Sequence, residues 1–369
     1  MGWLLPPLPP KFEAALRDVH AKGTAARAAA AERLGRSSDE ERARALPGLS
    51  ILAGDGDPGV RATAIAGLGM LESSDHLDQV VAAFSDPFPE VRELAVLAAA
   101  QIGGELATTA VRDALESPAP EVRFQAVSAL AELAPKDAPD ALVPLLKDPD
   151  DEVRMQVVEA ISGLAVPHLA GHVAGALDDP SPHVRLEAAL ALARLGDKRG
   201  QPALLEALGR RIRPMEVAEA LANLRSEPAI EPLAQLARRW WLPPHLRAAA
   251  GAALFRLGDA RGERVLRSVL SGFRSDARGY AVDLVRQIHA RPLCGELAKL
   301  ATRPRGVDLV ILVEALAVFA AEDSKAHAAL CLLREQPGEV GEAATAALRA
   351  RVATGDPSSD SPGADVPGA

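Results

Sequence analysis

Five segments of the chain align without a gap: DPGVRATAIAGLGML, PFPEVRELAVLAAAQI, PAPEVRFQAVSALAEL, PDDEVRMQVVEAISGL and PSPHVRLEAALALARL. They carry Arg61, Arg92, Arg123, Arg154 and Arg185, four successive steps of 31 residues, and Arg247 and Arg278 resume the series after a step of 62. A repeat this short cannot bury an apolar face by itself, so each copy must pack against its neighbours in a stack. One irregular copy, PMEVAEALANL (Pro214 to Leu224), fills the double step without the arginine. VDLVILVEALAVF and EVGEAATAALRA continue the apolar pattern, and Phe12 to Leu34 reads as a degenerate first copy.

Counted from each arginine, position +3 holds Ala64, Ala95, Ala126, Val157, Ala188, Ala250 and Ala281, and +7 holds Leu68, Ala99, Leu130, Ile161, Leu192, Leu254 and Val285. Position +10 holds Leu71, Ile102, Leu133, Leu164, Leu195, Leu257 and Ile288. At ~100° per residue these positions share one helix face. A shorter apolar run precedes each such helix, as in HLDQVVAAF, ATTAVRDAL and APDALVPLL. Asp86-Pro87, Ser117-Pro118, Asp148-Pro149 and Asp179-Pro180 separate the two runs. There proline stops the first helix, and Pro89, Pro120, Asp151 and Pro182 suit the first turn of the second. The unit is a helical hairpin, and about ten of them are expected.

Composition agrees. Hydrophobic residues make up 48% of the chain and aromatics only 3%, so burial must come from many small contacts between helices. The expected organisation is an N-terminal segment with a capping repeat (1–36), a repeat array (37–353) and a tail, TGDPSSDSPGADVPGA (354–369), disordered on composition.

The in-phase DPxxxVRxxAaxALxxLgd pattern resembles HEAT repeats, of the short type found in the phycobilisome-lyase-like group. The resemblance runs from about Arg61 to Leu348. It implies an all-α, right-handed α-α superhelix (a HEAT/armadillo-like solenoid), with first helices on the convex side and second helices lining a concave groove. It also implies a structural role for the arginine row. Asp86 and Arg92, Asp148 and Arg154, and Asp179 and Arg185 are each six apart, and in HEAT repeats an acid and an arginine at this spacing pair between neighbouring units. A phosphate-binding stripe is the weaker alternative for the same row.

Charge is unevenly distributed. Residues 37–195 hold 11 Lys/Arg against 26 Asp/Glu, whereas residues 196–306 hold 20 against 11. Positions +5 and +9 of the second helices lie opposite the apolar face and are the expected groove-lining row. They give Glu132, Glu159, Arg194, Arg256, Asp283 and Gln287, with Glu219 and Asn223 added by alignment. That mixed, slightly acidic row suits a protein partner better than nucleic acid. Arg238, Arg239, Trp240 and Trp241 occupy a corner where other repeats have Asp-Pro. One indole is expected to fill a widened repeat junction and the other to be at least partly exposed; a structural role for both is the leading reading, and a surface recognition contact with Arg238 or Arg239 the alternative.

No Gly-rich phosphate loop, Gly-x-Ser-x-Gly elbow or His-Glu-x-x-His motif occurs. His168 and His172 share a helix face but lack a third ligand, so no metal site is expected. Cys294 and Cys331 read as buried small hydrophobes. Neither the His-Glu ligands of HEAT-type di-iron hydroxylases nor a marked bilin site is present. No secretory leader or membrane helix is apparent, which makes a cytoplasmic location the expectation. The leading reading is a non-catalytic scaffold without a cofactor, binding an unidentified protein through its groove and no membrane. The alternatives are nucleic-acid binding through 196–306 and a bilin-lyase-like or chaperone role.

Overall fold

The computed structural model describes residues 11–354, with side chains to residue 350. The tail expected from 354 onward lies, past its first residue, outside the described residues. Among the described residues there are 22 α-helices and no strand. They group into two compact units that meet in sequence at Leu195/Gly196. The acidic and basic stretches of the chain divide at the same place.

In the first unit six hairpins follow one another, from Phe12–Asp18 with Thr24–Gly35 to the pair ending in Pro182–Arg194. The degenerate first copy is thus a hairpin of its own, and Phe12 is buried in it. From the third hairpin on, each first helix ends in a 3-10 turn just before the corner, as in Leu77–Ala82 followed by Ala83–Ser85. Second helices begin on proline at Pro58, Pro89, Pro120 and Pro182, where a missing amide costs nothing. Asp150 instead caps Asp151–Gly163 through its carboxylate, accepting from Glu152 N and Val153 N. Every +3 and +7 residue of this unit is fully buried, whereas Ile102, Leu133, Leu164 and Leu195 at +10 are half-buried where their helices end. The second helices cross closely where Gly69 faces Ala98: a Cβ on Gly69 would stand 2.6 Å from Ala98 Cα.

One residue further on, at +11, the backbone turns left-handed at Glu72, Gly103, Ala165, Gly196, Gly258 and His289. This position follows the second helix in every repeat of the series but that of Arg123, where Ala134 has φ -136°, and it explains the glycine in the repeat pattern.

The arginine row forms a ladder, but its rungs differ from the six-residue pairing. The Arg61 Nε and Nη2 bind both carboxylate oxygens of Asp86, at 2.8 and 2.9 Å. Arg123 does the same to Asp148 and Arg154 to Asp179, each acid lying 25 residues ahead in the next hairpin. The remaining nitrogen, Nη1, donates to the backbone carbonyl six residues back: Arg92 to Asp86 O, Arg154 to Asp148 O and Arg185 to Asp179 O. Thus the acid and arginine six apart are joined through the acid's carbonyl. The carboxylate is already taken by the preceding arginine and by the amide two residues on, at Phe88, Asp150 or Ser181.

Two irregular rungs follow the same logic. Ser117 stands where Arg92 would find its acid, and Glu121 on the next second helix replaces it. Arg27 grips Asp55 at 2.6 and 2.9 Å and donates to Ala21 O, so the ladder starts one hairpin before the regular sequence series. It ends at Arg185, whose position 25 ahead is Arg210.

The second unit has five hairpins, from Gln201–Arg210 with Pro214–Asn223 to Ser324–Arg334 with Glu339–Thr354. Its second helices pack in sequence order around a separate core that includes Ala281, Val285, Leu312 and Leu316. The ladder does not recur: Arg247 donates to Ala237 O, and the buried Arg278 donates to the carbonyls of Leu270, Gly272 and Arg305. Gly272 and Arg303 occupy the positions 25 ahead of these arginines, so no acid is available there. Cys294 is buried, which pushes its thiol up to about 11, while Cys331 is only half-buried.

The ladder predicts two measurements. Asp148→Asn strands the Arg123 guanidinium and should cost about 3 kcal/mol in urea unfolding of the first unit. Arg185→Ala loses only hydrogen bonds to carbonyls and should cost about 1 kcal/mol. The carboxyls of Asp55, Asp86 and Asp179 are held below the usual carboxylate range, chiefly by their arginine hydrogen bonds. At Asp148 burial pushes upward, and the Arg123 bond and the Asp150 amide more than offset it. Because these values are depressed in the folded state, their stabilisation is complete above the ordinary carboxylate pKa. It is lost as pH falls through the depressed values. Stability of this unit should therefore be flat from neutral pH down to about 5 and then drop in acid, and Asp148→Asn should shrink the drop.

Candidate functional site

The second helices Pro214–Asn223, Pro244–Arg256 and Ser275–Gln287 of the second unit together form a cavity of ≈ 630 Å³. Its floor is laid by small residues, Ala222, Ala249, Ala252 and Ala253, which bring the helices close and leave room above them. Met215, Leu284 and Ile288 supply an apolar wall. Around the rim stand Glu219, Asn223, Arg256, Tyr280, Gln287 and His289. Arg256 Nη2 donates to Asn223 Oδ1 at 2.6 Å, a bond that joins two successive second helices across the cavity and fixes both side chains.

Four residues expected to line a groove, Glu219, Asn223, Arg256 and Gln287, therefore share one cavity. Asp283 does not line it: its carboxylate is held by Arg286 at 2.6 Å and by Gln287 Nε2 at 2.7 Å on its own helix. Glu132, Glu159 and Arg194 are exposed on second helices of the first unit. There Arg194 leans on Ser162 Oγ and on the buried Glu187, at 3.3 and 3.4 Å. Met215, Tyr280 and His289 lie outside the expected row. Tyr280, the chain's single tyrosine, sits at +2 from Arg278, a position usually filled by a half-buried residue. His289 holds the left-handed position that glycine takes in three other repeats, φ 53°, and it lines the cavity.

Burial pushes the Tyr280 phenol above its ordinary value, with the nearby carboxylates of Glu219 and Asp283 acting in the same direction. The cavity thus offers one carboxylate, one guanidinium, a neutral phenol, two amides and an imidazole over an apolar floor.

A cavity of ≈ 550 Å³ in the first unit is lined by Asp148, Arg154, Asp179 and His172. Asp148, Arg154 and Asp179 are already engaged in the ladder, and Lys147 and Asp178 complete its charged lining. His168 and His172 are both exposed, and among the described residues no three His, Cys, Asp or Glu side chains are placed to hold a metal ion.

At the corner between Ile230–Arg238 and Pro244–Arg256 both indoles are exposed, Trp240 at 78% and Trp241 at 62%. Neither fills the repeat junction. Leu246 on the next helix is buried and Leu242 half-buried, and a turn closed by Leu242 N to Arg239 O carries the two rings outward. The rings meet edge to face with centroids 6.0 Å apart.

Stacked helical hairpins with a ladder of interrepeat hydrogen bonds define an all-α repeat protein. The HEAT-repeat family matches residues 46–131, 108–170, 140–214 and 169–254, together more than half of the chain. The chain belongs to that family. Among solved structures, the Escherichia coli protein YibA is 18% identical with a TM-score of 0.53, covering 68% of this chain and 93% of that one. Importin beta is 14% identical with a TM-score of 0.50, covering 92% of this chain and 52% of that one. The CpcE–CpcF phycocyanin lyase complex of Nostoc sp. PCC7120 is 20% identical with a TM-score of 0.47, covering 62% and 94%. At these identities YibA and importin beta share the solenoid fold with this chain. Among curated proteins, none matches the sequence. No helix among the described residues is long and apolar enough to cross a membrane.

The single tyrosine makes the electrostatics of the cavity directly measurable. Absorbance titration of the phenol should give a pKa above the ordinary value of about 10. Glu219→Gln should lower it again without restoring it fully, because burial is the larger cause.

Proposed function

We propose that this chain is a non-catalytic binding scaffold that holds a segment of a partner protein in the cavity of the second unit. The observation that supports this reading is the composition of that cavity. An alanine floor and apolar wall suit one or two anchoring side chains, and the rim offers both donors and acceptors for a peptide backbone. A phosphate or metal site would need like-charged groups converging on one point. Here Glu219 and Arg256 are of opposite sign, and Arg256 is already turned toward Asn223.

The reading needs no cofactor and no catalytic residue. The two charges make it specific: the partner segment should present an apolar side chain flanked by polar or mixed charges. Because the ladder belongs to the other unit, stacking and binding use different residues.

Affinity capture from the native lysate, with wild type compared with Arg256→Glu and Tyr280→Ala, tests the proposal. Wild type should retain a protein that both variants lose by roughly tenfold or more, the effect of removing an interface anchor. Arg256→Glu should melt close to wild type, and Tyr280→Ala, which removes a ring packed against the core, should melt lower while remaining folded. Unchanged capture by both variants would remove the cavity from consideration.

A further inference from the structure

In the second unit the turns joining first to second helices all lie along one edge, because first helices pack on first helices and second on second in sequence order. The third and fourth of these turns touch directly: Arg305 Nη1 donates to Ser271 O at 3.3 Å, and Arg278 beneath them binds carbonyls of both. The first four of the five turns read RRIRP (210–214), RRWWLPP (238–244), SGFRS (271–275) and TRPRG (302–306), and the fifth, REQPG (334–338), has no aromatic. Ile212, Trp240, Trp241 and Phe273 project from them, Phe273 with its ring fully exposed. Among the described residues Arg211, Arg238, Arg239 and Arg303 form no ion pair.

The corresponding turns of the first unit read SDPFP, ESPAP, KDPDD and DDPSP. Three of them supply a ladder acid, Asp86, Asp148 and Asp179, and their one exposed aromatic, Phe88, is covered by the Arg61 guanidinium 5.7 Å from the ring centre. No guanidinium lies over Trp240, Trp241 or Phe273 among the described residues. The second unit has given up the stacking acids on this edge and replaced them with arginines and bare aromatic rings.

We propose that this edge binds single-stranded nucleic acid. Each of these four turns carries guanidinium groups, and the two middle turns add flat aromatic faces, the pairing that tracks a phosphate backbone while bases stack on the rings. At roughly 8–10 Å between neighbouring helices, four turns cover about 30 Å, enough for a short extended strand. The strip is also narrow. Glu206 lies on its first-helix side, paired with Arg210, and Glu216 and Asp276 lie on its second-helix side beside Arg213 and Arg274. A linear polyanion fits between these flanking carboxylates, whereas an anionic bilayer would press its phosphates against them. A duplex keeps its bases stacked on one another and leaves the rings without partners.

The test is fluorescence anisotropy on the full chain with labelled uridine and thymidine oligomers of roughly 20 nucleotides, beside intrinsic tryptophan emission. Binding at low salt that weakens steeply as salt rises, with quenching of the indoles, is the expected result. The variant Trp240→Ala/Trp241→Ala/Phe273→Ala should bind about tenfold or more weakly, since each stacked base contributes 1–3 kcal/mol. Its rings touch no core, so its melting should be unchanged. Arg238→Glu/Arg239→Glu should lose binding, Arg264→Glu on an outer helix should not, and Tyr280→Ala in the cavity should leave it intact. Three results would overturn the proposal: no binding at low salt, binding indifferent to the aromatic variant, or capture by phosphatidylserine vesicles without oligonucleotide binding.

Discussion

One guanidinium that reads two repeats at once organises the first unit. Each ladder arginine donates two hydrogen bonds to a carboxylate of the following hairpin and one to a carbonyl of its own, so a single side chain fixes both the corner it belongs to and the distance to the next. The planar fork of arginine is what makes this possible, since a lysine at the same place could not hold both oxygens of the acid. The acid gains equally: its carboxylate also accepts the amide two residues on, which shapes the turn that proline has begun. Small residues can then fill the core, because repeat spacing is set by the ladder and does not need large interlocking side chains.

The same logic explains why the chain divides where it does. After Arg185 no acid stands at the required distance, and from there on the arginines of the repeat face backbone carbonyls instead. Buried Arg278 keeps its charge with carbonyl partners alone, and burial together with Arg305 lowers its pKa. Corners released from stacking duty are free to diverge. In the second unit they have become arginine-rich and aromatic, and the cavity between second helices has acquired the only tyrosine of the chain.

Much of this was legible in the sequence, because a 31-residue clock fixes both helix faces without any knowledge of what packs on them. The +3 and +7 residues are buried as the period requires, and the corner prolines stand at the first helical positions. Four cavity residues followed from the same counting. What periodicity could not show was partner choice. Asp86 and Arg92 are close in sequence, yet the carboxylate turns to Arg61, because the amide two residues on already orients it away from its own arginine. A constant separation of 25 between arginine and acid was present in the sequence and identifies the rung. Tyr280 escaped because one aromatic at an otherwise ordinary position carries no period. Nor does periodicity place the tryptophans: both rings are exposed at the corner, while Leu246 on the next helix is buried.

The most direct test of the ladder is a double-mutant cycle across one rung, with Arg123→Met, Asp148→Asn and both together, measured by urea unfolding. If the guanidinium sets the repeat spacing as described, the two residues should be coupled by about 1–3 kcal/mol, and the double variant should be less destabilised than the single ones added together. Strict additivity would mean that Arg123 and Asp148 contribute independently, and that packing alone holds the hairpins in register.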